Sequence, residues 1–122
     1  MTDAIQRAIQ AARLADSKKA EEIQVLDLSG ICTFTDAFVI CSGATRLQLK
    51  AIGETIIKGI KDLDESTPLQ DGIRSATWAV LDYGDFVVHI MSPEARNYYR
   101  LEDIWGDAKT VEWLKTQAAV SE

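Results

Sequence analysis

The sequence predicts a single α/β domain in which a small mixed β-sheet is flanked by helices. Three observations lead to this prediction: two segments carry apolar residues at helical spacing, one continuous apolar run has the length of a buried strand, and a third segment has the form of a β-hairpin. A chain of 122 residues, 47% of them apolar, can bury one hydrophobic core but not two. We therefore assign residues 1–122 to one domain, with a core over about 3–108 and a C-terminal tail over 109–122.

Two amphipathic helices are predicted. The first covers residues 3–16, and either Thr2 or Asp3 provides its N-cap. Its apolar stripe is mostly alanine, which favours close packing but buries little area. The second helix begins after Thr45, a suitable N-cap, and continues to about Asp62 with larger aliphatic residues. This second helix is expected to build the core.

Two strands are predicted between these helices. Residues 23–28 are rich in strand formers and end at the turn-forming pair Ser29-Gly30. Residues 37–41 are apolar throughout, so we expect this strand to be covered on both faces. Gly43 is interpreted as a strand-to-helix turn. The polar segment 64–76, which contains a proline and a glycine, is predicted to be a loop.

A β-hairpin is predicted over residues 78–91, because two apolar runs surround a turn that contains Gly84. The predicted pairing joins 81 with 86, 80 with 87, 79 with 88 and 78 with 89. Side chains alternate across a strand, so one face is wholly apolar and is expected to meet the helices. That face comprises Ala79, Leu81, Phe86, Val88 and Ile90, whereas the opposite, partly solvated face comprises Trp78, Val80, Asp82, Asp85, Val87, His89 and Met91.

A short helix is expected after the hairpin. Ser92 can cap it, Pro93 suits its first position, and Glu94 is favourable in its first turn. The helix should end at about Tyr99 or Arg100. The tail is predicted to be weakly helical, on the spacing of Val111, Leu114 and Ala118.

The charge balance narrows the classes of partner. Thirteen Lys and Arg against 19 Asp and Glu give a net charge of −6, and no basic run is available to neutralise phosphates. We therefore expect no direct sequence-specific binding of nucleic acid and favour a basic protein as partner. The longest apolar runs are far shorter than a membrane span, and the N-terminal segment lacks the pattern of a secretory signal. These features predict a cytoplasmic protein that contacts no membrane.

Enzymatic chemistry finds little support in the residues. The single histidine, His89, has no Ser or Cys partner at a known catalytic spacing, and Asp82 and Asp85 lack the spacing of a two-metal site. Gly43 stands alone, without a phosphate-binding glycine pattern. Cys32 and Cys41 are expected to be reduced thiols without a chemical role. We predict no enzyme, no cofactor and no metal.

A protein-binding surface is the remaining interpretation. Aromatic residues are interleaved with charged ones in the last third of the chain, which is the composition of protein-binding hot spots. These aromatic residues are Trp78, Tyr83, Tyr98, Tyr99 and Trp105. Tyr99 and Trp105 are assigned to the edge of the core, whereas the hairpin sorting assigns Trp78 to an interface.

Four segments resemble the bacterial ribosomal silencing factor family, RsfS, also called Iojap. They are KAEEIQVLDLSG (19–30), TDAFVICSG (35–43), QLKAI (48–52) and WAVLDYGDFVVHIMSPEARNYYRLEDIWGDA (78–108). The similarity runs in the same order from about residue 3 to 108. Ala37 departs from the tyrosine usual in the family.

The resemblance implies a sheet similar to a nucleotidyltransferase fold without its catalytic carboxylates, and a non-enzymatic activity. The expected activity is docking on ribosomal protein number fourteen of the large ribosomal subunit, which blocks joining of the small subunit when nutrients are low. A homodimer that dissociates on the ribosome is also implied. The alternative functions are a nucleotide-handling enzyme derived from the nucleotidyltransferase-like fold and a homodimeric ribosome-assembly adaptor. The family's partner-binding positions correspond here to Trp78, Asp82, Tyr83, Asp85, Glu94, Arg96 and Tyr98, and also to Leu81, which the hairpin sorting buries and which we therefore exclude.

Overall fold

The computed structural model describes residues 3–72 and 77–113. Its strands form one six-stranded mixed sheet with the order β3-β4-β5-β2-β1-β6. This confirms the predicted fold class. The elements in chain order are α1 (Asp3–Ser17), β1 (Glu21–Asp27), β2 (Ala37–Ser42), α2 (Arg46–Asp64), β3 (Leu69–Asp71), β4 (Trp78–Asp82), β5 (Phe86–Met91), α3 (Pro93–Tyr99), α4 (Leu101–Ile104) and β6 (Lys109–Val111).

One face of the sheet is covered by α1 and α2. Their aliphatic side chains pack against Val25, Val39 and Val88 in the larger core cluster. Alanines of α1 are fully buried there, so the alanine stripe permits the close packing that the sequence predicts. Gly59 of α2 continues this close approach, since a β-carbon at that position would overlap the side chain of Leu14 in α1.

The opposite face is partly covered by the segment that follows β5. Ala95 of α3, with Leu101 and Trp105 beyond it, packs against side chains of β2 and β5 in a second core cluster. Strands β2 and β5 pair in parallel and are buried along their whole length. The prediction that the strand at 37–41 is covered on both faces is therefore confirmed, but the prediction of a partly solvated face on β5 is wrong.

The hairpin has the predicted faces and a different register. Trp78 lies opposite Met91 and Asp82 lies opposite Val87, so each pair is displaced by two residues from the predicted one. The reason lies in the turn: Gly84 and Asp85 form the two-residue loop, because the amide of Tyr83 still donates to the carbonyl of Phe86 at 2.9 Å. A displacement of two residues leaves every strand side chain on the same face.

Two short strands lie where the sequence predicts a loop and a weakly helical tail, so these two predictions are wrong at the strand positions. Leu69–Asp71 forms β3, an edge strand that pairs with β4, within the segment predicted to be a loop. Lys109–Val111 forms β6, which pairs with β1, where a weak helix is predicted. Three-residue strands carry too little pattern to be recognised from sequence. Thr2, the tail beyond residue 113 and residues 73–76 lie outside the described part.

The caps predicted for the second helix and for the helix after the hairpin are present. Thr45 and Ser92 accept hydrogen bonds from the amides of Gln48 and Ala95, at 3.1 Å each.

Among the described residues, no helix has the length and apolar character needed to cross a bilayer.

Candidate protein-binding surface

The indole of Trp78 lies at the start of β4, half-buried on the sheet face that α3 partly covers. Its ring contacts Tyr99 with a centroid distance of 4.7 Å, and its Nε1 donates to Nδ1 of His89 at 3.1 Å. The indole is therefore held in one orientation while part of it faces solvent. It is neither sealed in the core nor fully exposed.

Two tyrosines at the end of α3 extend this aromatic group. The rings of Tyr98 and Tyr99 meet edge to face at 4.9 Å, and Tyr98 is 80% exposed. Glu94, one turn earlier, is also exposed and lines the same shallow depression as both tyrosines. Helical spacing thus places a carboxylate beside two exposed aromatic rings. Tyr99 is 49% exposed, so its assignment to the edge of the core is wrong.

The strands β3 and β4 continue the surface away from α3. Leu69 lies opposite Asp82 and Asp71 lies opposite Val80, so these side chains share the face of Trp78. Leu69 is 77% exposed, although its side chain is apolar. We call this region the aromatic-acidic surface, and it comprises Leu69, Asp71, Trp78, Val80, Asp82, Glu94, Tyr98 and Tyr99.

Asp82 has a structural contact in addition to its place on this surface. Its carboxylate accepts a 2.8 Å hydrogen bond from the amide of Gly84 and so stabilises the hairpin turn. The carboxylate remains half-exposed, and its charge raises the pKa of buried His89, against the larger lowering effect of burial.

Tyr83 and Asp85 do not lie on the aromatic-acidic surface, which corrects the sequence assignment of Asp85 to the face of Trp78. Strand alternation does not extend through the turn. The carboxylate of Asp85 instead forms an ion pair with Arg7 of α1, with 2.6 Å between Oδ1 and Nη1. Tyr83 stacks on Phe86 at 4.6 Å, with the guanidinium of Arg7 above the ring. Burial is the main reason that the pKa of Tyr83 rises to about 12. Both residues thus join the hairpin turn to α1.

Arg96 is buried within the fold. It is 6% exposed, its Nε donates to Glu102 at 3.0 Å, and its Nη1 donates to the hydroxyl of Ser42 at 3.2 Å. The side chain therefore holds α3 against β2 and against α4. Sequence spacing does not reveal this burial, because Arg96 is a charged residue on a short helix and its partners come from other segments.

His89 is the functional neighbour that sequence reasoning left aside. It lies on β5 opposite Val80, is 8% exposed, and its ring meets Phe38 at a centroid distance of 4.5 Å. Burial lowers the pKa of His89 to about 4, and the opposing effect of the Asp82 charge is smaller. A neutral imidazole therefore accepts the Trp78 hydrogen bond at ordinary pH.

The other side chains that could react or bind a metal ion lie apart from one another. Cys41 is fully buried, and burial raises the pKa of its thiol to about 12. Within the described part of the chain, no three His, Cys, Asp or Glu side chains converge as ligands for a metal ion. The arrangement that the structure does offer is a rigid aromatic group bordered by carboxylates.

Fold and surface together define a small α/β protein with a mixed sheet whose uncovered corner presents aromatic and acidic side chains. The matching family model and the two curated relatives described below all name the same family. The family model described as "Ribosomal silencing factor during starvation" matches residues 1–122. The chain is 38% identical over 102 residues to the ribosomal silencing factor RsfS of Halalkalibacterium halodurans, covering 84% of this chain and 87% of that one.

A second relative, the RsfS of Bacillus subtilis, is 40% identical over 102 residues, which cover 80% of this chain and 83% of the relative. A crystal structure of a Chromobacterium violaceum protein superposes with a TM-score of 0.82 at 27% identity, covering 86% of this chain and 88% of that chain. The chain belongs to the ribosomal silencing factor family, RsfS.

Proposed function

We propose that this chain binds the large ribosomal subunit through its ribosomal protein number fourteen and prevents the small subunit from joining. Translation is thereby repressed under nutrient limitation, in keeping with the starvation response in the family's description. The observation that carries the proposal is the aromatic-acidic surface, above all the 80% exposed ring of Tyr98 beside Glu94.

Charge and aromatic character suit this surface to a basic ribosomal protein. The chain carries a net charge of −6, and Asp71, Asp82 and Glu94 lie on the surface itself. Long-range attraction accelerates the encounter with a cationic partner, and the rings of Trp78 and Tyr98 supply contacts from which water is excluded.

The proposed mechanism is steric and needs no catalytic group. A body of 13.5 kDa seated on the face of the large subunit that meets the small subunit occupies space that the joined ribosome requires. Repression then depends only on occupancy, so its extent follows the concentration and affinity of the protein. We assign the protein to the cytoplasm, where ribosomal subunits join.

We also propose that the free protein self-associates through the aromatic-acidic surface and dissociates when it docks. Leu69 and Tyr98 are 77% and 80% exposed, and pairing of two copies would cover both side chains. Sedimentation equilibrium of the free chain tests this step, because Tyr98→Ala should shift the wild-type dimer towards monomer.

Sucrose-gradient sedimentation tests the main proposal. Wild-type protein added to purified subunits should travel with the large subunit and lower the fraction of joined ribosomes. Tyr98→Ala should weaken binding about thirtyfold, the cost typical of a hot-spot aromatic residue. Leu63→Ala is the matched control, since Leu63 is 61% exposed at the end of α2 and outside the surface. Unchanged binding of Tyr98→Ala, or an equal loss with Leu63→Ala, would contradict the assigned surface.

A further inference from the structure

A groove of about 910 Å³ lies along α2 and is bordered by Gln70 of β3. None of the eight residues of the aromatic-acidic surface lines it, but the two regions adjoin at Arg46, which also lines the depression beside Glu94 and Tyr98. The charged residues that line it are Arg46, Lys50, Glu54, Lys58 and Lys61. Four cations against one carboxylate give a local charge of +3, in a chain whose net charge is −6.

Helical geometry gathers these cations from a sequence that has no basic run. With 3.6 residues per turn, the four positions fall within about 120° of the helix circumference. A different sector faces the core, and it carries Leu49, Ile52, Ile56 and Ile60. At a rise of about 1.5 Å per residue, Arg46 and Lys61 lie about 22 Å apart along the axis. The groove therefore presents an extended cationic stripe.

Little neutralises this stripe. Lys58 pairs with Asp62 at 3.1 Å, but both side chains are largely exposed, so this pair is weak. For Arg46, Lys50 and Lys61, the described residues provide no carboxylate within 4.0 Å. These three cations keep their charge available to an external anion.

We propose that this groove binds the phosphate backbone of RNA. A row of flexible cations suits evenly spaced phosphates, whose recognition is electrostatic and independent of base sequence. Protein-binding hot spots are enriched in aromatic residues, and the lining of the groove contains none, its apolar members being Leu47 and Ile57. The inference adds a second ligand to the proposed function, since a protein seated on a ribosome has RNA within reach.

Fluorescence anisotropy with a labelled RNA hairpin of mixed sequence tests the proposal on the full chain. Wild-type protein should bind at low salt, with an affinity that falls steeply as salt rises. The double variant Lys50→Glu/Lys61→Glu should weaken binding at least about tenfold and reduce the slope of log affinity against log salt by about two. Circular dichroism verifies folding, and Lys50→Gln/Lys61→Gln provides a milder variant that should weaken binding in the same direction.

The matched control is Lys18→Glu/Lys109→Glu, which makes the same change in net charge at exposed positions outside the groove. Its RNA affinity should fall less than threefold. Absence of wild-type binding, an equal loss in the control, or tighter binding of polyglutamate than of RNA at equal charge would overturn the proposal. The last outcome would indicate an acidic protein as the occupant.

The RNA proposal and the proposed binding of ribosomal protein number fourteen can be contradicted independently. Tyr98→Ala should keep its RNA affinity while losing affinity for isolated ribosomal protein number fourteen, and Lys50→Glu/Lys61→Glu should show the reverse. Loss of both affinities in either variant would contradict the assignment of two independent surfaces.

Discussion

Trp78 and His89 are joined by a 3.1 Å hydrogen bond from the indole Nε1 to the imidazole Nδ1. Because Nδ1 accepts, the neutral imidazole carries its proton on Nε2, which is buried and has no hydrogen-bond partner among the described residues. A protonated imidazole would lose the acceptor and place a charge in the core. The orientation of the exposed aromatic group therefore depends on a neutral histidine.

Stability should fall as the pH is lowered from about 6.5 to about 4. The folded-state pKa of His89 is about 4, whereas an unfolded histidine titrates near 6.5. Between these values only the unfolded state binds the proton, so the free energy of unfolding decreases with falling pH, by at most about 3 kcal/mol.

Urea unfolding across this pH range measures the effect. His89→Phe removes the titrating group and should flatten the curve in this window, although it also removes the acceptor for Trp78. Parallel pH curves for the wild type and His89→Phe would contradict the assignment to His89.

Gly72→Ala should destabilise the protein more than Gly84→Ala does. Both glycines have positive φ, at 71° and 89°, and alanine in that region costs about 1 kcal/mol or more. A β-carbon on Gly84 meets open space, whereas one on Gly72 overlaps the carbonyl oxygen of Trp78. We expect about 1 kcal/mol for Gly84→Ala and at least about 2 kcal/mol for Gly72→Ala. Denaturant unfolding measures both losses. Equal losses of unfolding free energy would show that the positive φ alone, without the overlap at Trp78, determines the cost of each substitution.

Arg7→Ala should cost about 2 kcal/mol of folding free energy, because one guanidinium binds three partners from two other segments. Its Nε, Nη1 and Nη2 donate to Asp64, Asp85 and Ser66 at 2.8, 2.6 and 2.7 Å. Burial lowers the pKa of Arg7, but the hydrogen bonds and charges of Asp85 and Asp64 together outweigh it, so the pKa is raised. Lys58→Ala breaks only an exposed pair and should cost less than about 0.5 kcal/mol. Thermal unfolding of both variants compares the two effects, and similar losses would contradict this ranking.

One thiol should react in the native protein and two after unfolding. Cys41 is fully buried, and burial raises its pKa to about 12, so it is protected from thiol reagents. Cys32 is only partly buried. Titration with a chromogenic disulfide before and after denaturation should give these two counts, and Cys32→Ser should abolish the native reaction. Rapid modification of Cys41 without denaturant would contradict its burial.

Much of the fold follows from local pattern. The helices α2 and α3 begin directly after Thr45 and Ser92, as these caps predict, because capping depends on neighbouring residues alone. The register of the hairpin does not follow as directly. Two turns one residue apart preserve the same faces, and only the backbone bond between Tyr83 and Phe86 distinguishes them.

The candidate surface was harder to predict because it depends on tertiary contacts. Strand alternation places Trp78 and Asp82 correctly on one face, but it gives no information about Asp85 in the turn. The burial of Arg96 depends on Ser42, 54 positions away in the sequence. The cations of α2 are overlooked when only contiguous basic residues are sought.

The position of β5 has a consequence for biosynthesis. It lies between β4 and β2, which pair with it and not with each other. A nascent chain that has emerged only through residue 85 can form a β1–β2 pair and a β3–β4 pair, but nothing in the sheet joins them. Both faces of the missing strand are buried in the finished protein, so the emerging halves expose apolar surface until it arrives. Completion of the sheet is therefore a late event in vectorial synthesis.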